Sequence, residues 1–253
     1  MDAFPERADL ADAPDTFESG HLWLFEYVTG LPLRFHLRSD GQLRFGDDRR
    51  VFRPGDVPTA YQPAVTAVRT DFDRDRLRSA ADDVSEVTLY GIATCYRGVD
   101  YDWARLPTVV VTDIRSGADL LGPDALVRSC ERLGLSAAPV VEKERRADAF
   151  DPGSVTFPAS AYADEPAAGL DVADKRGTRG RVHNAAVADP TDRGFESVDD
   201  AVRALLPDDT GGAGVEQARN RIVRESYGTL LASGIDPDDA DLDSAVAKAL
   251  ERA

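Results

Sequence analysis

The stretch at residues 22–46, LWLFEYVTGLPLRFHLRSDGQLRFG, decides how the rest of the chain is read. Leu31, Leu33, Phe35 and Leu37 alternate with Pro32, Arg34, His36 and Arg38, the period-two signature of a half-buried strand. Ser39-Asp40-Gly41 signals a turn, and Leu43 and Phe45 resume the alternation on the way back, so a hairpin is predicted. The apolar run before it, LWLFE, reads as a further strand, with Gly30 at a tight backbone turn between the two. Strands so arranged frame a pocket.

Working outward, residues 1–20 are polar and proline-containing and read as an extended arm. Beyond the hairpin, residues 47–63 read as loop with a short strand at 50–53. Val65, Val68, Phe72 and Leu77 recur at near-helical spacing, which predicts one amphipathic helix over 64–80. Strands are predicted at 84–96 and 108–114. A helix over 124–133 has Pro123 before it and Gly134 after it. Short strands follow at 138–141, 167–173 and 179–182, with a loop or helical turn at 145–150 and a hairpin around 175–178. The last sixty or so residues read as helices at 199–206, 215–233 and 240–252. The expected organisation is an arm (1–20), a main domain (21–190) and a C-terminal α-helical region (191–253).

At 253 residues the chain can bury one sizeable core, and an apolar content of 42% excludes wholesale disorder. No run approaches the roughly 18–20 apolar residues of a membrane helix. The start, MDAFPERADLADAPD, has no basic segment followed by an apolar one, so no signal peptide is read and a cytoplasmic protein is expected. The net charge is −16. Lysine occurs only at Lys143, Lys175 and Lys248, and aspartates are often doubled, as at Asp47-Asp48 and Asp238-Asp239. Abundant carboxylates with few lysines suit a protein that stays hydrated in concentrated salt, a halophilic cytosol. Molar salt shortens the Debye length to about 3 Å, so the net charge does not exclude nucleic acid; any polyanion site must be a local arginine cluster. Cys95 and Cys130 are too few for a disulfide framework, and His21, His36 and His183 have no metal-ligand spacing, so no metal ligands are assigned.

The order of signals carries a resemblance. Glu26, Gly30 and Phe35 come first, followed by Phe45-Gly46 and Arg50. Leu89-Tyr90-Gly91-Ile92 leads to Asp100-Tyr101-Asp102-Trp103 and to Thr112-Asp113-Ile114. Ala168-Gly169-Leu170-Asp171-Val172 and Arg179-Gly180-Arg181-Val182 complete the set. Over residues 22–184 this resembles the RNA ligase family of covalent nucleotidyltransferases. The resemblance implies an α+β fold of antiparallel sheets with flanking helices that binds ATP between two sheets. It also implies attack of a lysine on the α-phosphate, transfer of AMP to an RNA 5′-phosphate end, and Mg²⁺ as helper. The nucleotide-binding positions it implies here are Glu26, Gly30, Arg34, Arg50, Ile92, Arg179 and Arg181.

The departures are as specific as the matches. The family's E-K-x-D-G is Glu26-Tyr27-Val28-Thr29-Gly30, so Tyr27 occupies the nucleophile position and Thr29 that of the aspartate. A phenol with pKa near 10 needs strong activation to take AMP, and a structural tyrosine is the favoured reading. Ile92 and Ala168 stand where the family has glutamates, Arg181 where it has a lysine, and Asp48 where it has an arginine, with Arg49 and Arg50 adjacent. None of the three lysines is followed by x-D-G; Lys175, near the arginine-containing strand, is the least distant substitute. Arg34, Arg38, Arg44, Arg49, Arg50, Lys175, Arg176, Arg179 and Arg181 would either line one phosphate-binding cleft or face outward against the many carboxylates. Three readings follow. The chain is a catalytically degenerate RNA-ligase-like domain that keeps a cleft for a nucleotide or an RNA end or binds a protein partner. Alternatively it is an active ligase with rearranged residues, or a structural or regulatory module. Arg219, Arg221 and Arg224 suggest a modest basic face on the helical region.

Overall fold

The computed structural model describes residues 1–187, 197–205, 214–232, 234–235 and 241–251. Its strands are β1 (Ala8–Asp9), β2 (His21–Glu26), β3 (Gly30–Leu37), β4 (Leu43–Gly46), β5 (Val87–Thr94), β6 (Val109–Ser116), β7 (Asp119–Leu120), β8 (Val140–Arg146), β9 (Gly169–Asp174) and β10 (Arg179–His183). They form two five-stranded sheets, ordered β1-β10-β9-β2-β8 and β4-β3-β5-β6-β7. All pairings are antiparallel except β1 with β10. This is the α+β architecture of antiparallel sheets and flanking helices expected from the sequence.

The chain leaves the first sheet after β2 and enters the second at β3, so residues 27–29 are the crossing between layers. The predicted hairpin is β3–β4, with Phe35 opposite Phe45. Its alternation sends Leu33, Phe35 and Leu37 into a core beneath helices α1 (Gln62–Asp71), α2 (Arg74–Ala80) and α3 (Pro123–Arg132). Arg34 and His36, on the opposite face, turn towards the first sheet. Strand β5 is buried along its whole length, because helices cover one face and the other sheet covers the other.

Some elements differ from expectation. The single helix predicted over 64–80 is two, because Phe72 turns inward against Phe35 (ring centroids 5.7 Å apart). Asp73 then caps α2, its carboxylate accepting from the Arg76 amide at 2.9 Å. Helical spacing alone cannot register a break whose cause is a distant ring. The strand expected at 50–53 is a single bridge between Gly46 and Val51. Residues 145–146 extend β8 rather than forming loop, since they pair with Leu22 and His21.

Helices α4 (Val198–Leu205), α5 (Gly214–Ala232) and α6 (Asp241–Leu250) share a small apolar core containing Val202, Ile222, Leu230, Leu242 and Val246. The expected boundary between 190 and 191 and the acidic residues 236–240 lie outside the described residues. Helix α5 is seated on the end of β5. A side chain at Gly228 would put its Cβ 1.8 Å from the Tyr96 carbonyl oxygen, so only glycine allows this approach. The basic face expected from Arg219, Arg221 and Arg224 is not formed. Arg224 is buried, donating to Thr94 Oγ1 (2.7 Å) and to the carbonyls of Leu106 (2.9 Å) and Pro107 (3.2 Å). Arg219 donates to Gln62, and Arg221 pairs with Glu225 along the helix. No helix is long and apolar enough to cross a membrane among the described residues.

Candidate functional site: the cleft between the sheets

Strand register aligns Arg34, Tyr90 and Asp113 in one row across β3, β5 and β6. In the first sheet Asp171 on β9 stands opposite Arg181 on β10, with Arg179 two residues earlier on the same face. Between the layers these groups meet. Arg179 Nε donates to Asp113 Oδ1 at 2.6 Å, joining the two sheets with both side chains almost fully buried. Arg181 grips Asp171 bidentately, at 2.6 and 3.1 Å. Arg7, just before β1, reaches between them and binds both carboxylates, Asp113 Oδ2 at 2.7 Å and Asp171 Oδ1 at 3.0 Å. Burial alone would raise the Asp171 pKa, but the Arg7 and Arg181 guanidiniums overcome that and hold it below the ordinary range. Arg181 is pushed the other way: burial opposes its charge, Asp171 restores it, and its pKa is raised.

The arm that carries Arg7 covers the cleft along the second sheet. The Asp2 carbonyl accepts from Arg34 at 2.7 Å, and the Phe4 ring lies 5.3 Å from that of Tyr90. Leu10 is fully buried against Gly180, where a Cβ would come within 2.9 Å of three Leu10 side-chain carbons. The space left beside Arg7, Asp171 and Arg179 is about 10 Å³, no more than one water needs.

At the crossing, Tyr27 donates its backbone N–H to the Gly169 carbonyl (3.0 Å), and its ring lies beneath the Arg181 guanidinium at 3.7 Å. His183 meets the ring edge-on at 5.6 Å. Glu26 is buried and accepts from Ser160 Oγ (2.5 Å) and the Ala161 amide (2.8 Å), so its carboxylate holds the 160–163 loop. The Thr29 amide donates to the Tyr101 hydroxyl at 3.0 Å. Gly30 lies so close to β5 that a Cβ there would stand 2.3 Å from the Ala93 carbonyl and 2.5 Å from Ile92 Cγ2. Ile92 thus packs against the turn rather than offering a polar group to it.

The positions singled out from the sequence therefore divide. Tyr27, Arg34, Arg179 and Arg181 face the cleft; Glu26, Gly30 and Ile92 build its wall. Arg50 is exposed and lies over Phe52, 5.9 Å from the ring centroid, on the helix-covered side of the second sheet. The lysines are elsewhere: Lys143 over Trp23 (4.8 Å), Lys175 paired with Glu144 (2.8 Å), and Lys248 on α6. Arg7, Asp113 and Asp171 were not assigned from the sequence. A signal existed for the aspartates, since a charge inside the apolar runs VVVTDI and GLDVA must find a partner once buried. Arg7 carried none, being one charge in a polar arm.

With the arm in place, the space between the sheets does not admit ATP and Mg²⁺. Asp113 and Asp171 are each bound by two guanidiniums, and the arm fills the gap. Among the described residues no three His, Cys, Asp or Glu side chains gather as a metal site.

The chain matches no protein-family model and no curated protein. Among solved structures it is similar to an RNA ligase of Naegleria gruberi. One variant of that enzyme with ATP and Mn gives a TM-score of 0.54 at 15% identity, over 74% of this chain and 57% of that one. A second variant with ATP and Mn gives 0.55 at 14% identity, over 74% and 56%. The same ligase with pyrophosphate gives 0.53 at 14% identity, over 74% and 56%. At such identity the likeness is one of fold, and this chain spans little more than half the length of the ligase.

Proposed function

We propose that this protein is an RNA-ligase-like domain that does not adenylylate itself and works as a binding or partner module. The observation that carries the reading is the closed cleft, in which Arg7, Arg179 and Arg181 neutralise Asp113 and Asp171 where the family fold would admit a nucleotide. Tyr27 supports it further: its ring is engaged by Arg181, and among the described residues no carboxylate or histidine accepts a hydrogen bond from its hydroxyl. On this reading a nucleotide or an RNA 5′-phosphate enters between the sheets only when the arm leaves, which favours a regulatory or structural role over turnover. The acidic, lysine-poor composition supports a salt-adapted protein.

The test is incubation with α-labelled ATP and Mg²⁺ in concentrated KCl, followed by a denaturing gel. No covalent label is expected. Label that survives denaturation and vanishes in Tyr27→Phe or Lys175→Ala would overturn the reading, because it would identify a working nucleophile.

A further inference from the structure

A second basic feature lies on the other side of the second sheet, away from the cleft. At the free edge of β4, the loop after Phe52 and the junction of α1 with α2 border an open pocket of about 280 Å³. Arg53, Arg69 and Arg74 line it from the helix-covered side, Arg44 borders it from β4, where its side chain alternates to the face of His36, and no acidic side chain lines it. In a chain with 46 acidic residues against 30 basic ones, random outward placement would leave few such surfaces. None of the four has a carboxylate within ion-pair distance among the described residues, whereas Arg76 and Arg78, on the same helix as Arg74, pair with Asp73 and Asp75.

Two of the guanidiniums have further contacts. Arg69 sits over the Phe45 ring at 5.6 Å, and Arg74 donates to the Arg69 carbonyl at 3.4 Å. Like charges gathered around one pocket repel, and an anion shared between them removes that cost. The rest of the lining includes Phe45 and Phe52, so the cationic groups sit beside aromatic surface. Arginine forks match phosphate oxygens, while guanidinium planes and phenyl rings take a flat heterocycle. The volume is just below the roughly 300 Å³ at which small-molecule sites begin, which suits a single nucleotide unit.

We propose that this pocket binds a nucleoside phosphate, either a free nucleotide or the phosphorylated end of a single-stranded RNA. The inference does not depend on the cleft between the sheets or on the absence of adenylylation. Its test is the fluorescence anisotropy of a 3′-labelled, 5′-phosphorylated hexaribonucleotide over a KCl series that starts at the lowest concentration at which the wild-type protein stays folded, with AMP and inorganic phosphate as competitors. The variants are R53A/R74A and a charge-matched control, R105A/R146A; tryptophan fluorescence and the melting temperature check that both are folded.

The wild-type protein and the control are expected to bind alike. R53A/R74A should bind about a hundredfold more weakly, roughly tenfold for each arginine, and with a shallower salt dependence. Displacement by AMP assigns the site to any nucleoside phosphate; loss of RNA binding in R53A/R74A without AMP displacement assigns it to the RNA end. Three results would overturn the proposal: no binding to the wild-type protein, equal affinities for the two double variants, or displacement by inorganic phosphate as effective as by AMP.

Discussion

Replacing Arg7 by alanine tests the closed cleft most directly. Arg7 makes two charge-assisted contacts, to Asp113 and Asp171, and its side chain is only 17% exposed. Such hydrogen bonds contribute about 1.5–3 kcal/mol each when buried. The full sum is not expected, because each carboxylate keeps a second guanidinium, Arg179 or Arg181. The loss should therefore be about 2–4 kcal/mol, below that of stripping a buried charge of every partner. Urea is the denaturant of choice, since guanidinium chloride screens ion pairs. Trp23 and Trp103, the only tryptophans, both belong to the apolar cluster between the layers, so their fluorescence reports on this region. Because the network is largely buried, molar KCl should leave the loss largely intact. Arg146→Ala, which removes an exposed pair with Asp148, should change nothing measurable. A double-mutant cycle with Asp171→Asn should return a coupling of about 1–2 kcal/mol. A loss below about 0.5 kcal/mol, the scatter of ordinary surface substitutions, would refute the argument. So would a loss that vanishes in salt.

The remaining predictions concern acid, thiols and the seat of α5. The Asp171 pKa is lowered from its usual 3.8, so its ionised form stabilises the fold above that value and the contribution is lost as pH falls through the lower folded value. Urea midpoints across the acid range should fall there in the wild-type protein and more gently in Asp171→Asn; identical profiles would exclude Asp171 as the source. Burial pushes the Cys95 and Cys130 thiols up to about 12. A thiol reagent at neutral pH should modify neither in the folded protein and both in urea; rapid native labelling would contradict this burial. Gly228→Ala places a methyl 1.8 Å from the Tyr96 carbonyl and should cost about 1–3 kcal/mol in thermal unfolding. An unchanged melting temperature would show that α5 is not seated on β5.

Much of the fold was legible because its signals are local. The alternation from Leu31 to Leu37, the turn at Ser39-Asp40-Gly41 and the proline before the 124–133 segment each act within a few residues, and β3, β4 and α3 follow from them. The break at Phe72 was not legible, since the ring that draws it inward is Phe35, on a strand more than thirty residues away in the chain. The candidate site was legible only in part. Tyr27, Arg34, Arg179 and Arg181 were singled out from residue type and motif order, and the structure brings them to the cleft. Arg50 was read with them, yet the bridge between Gly46 and Val51 leaves it on the outer side.

By itself the sequence determined most of the longer strands, which of their faces are apolar, and that Tyr27 rather than a lysine follows Glu26. Those are properties of spacing and residue type. Only the tertiary structure decided what the cleft contains. Whether Asp113 and Asp171 were free for a ligand, and whether the arginines formed one cluster or several, depended on Arg7 entering from a polar arm between two sheets. A buried charge must find a partner, but the chain does not say which one until it folds.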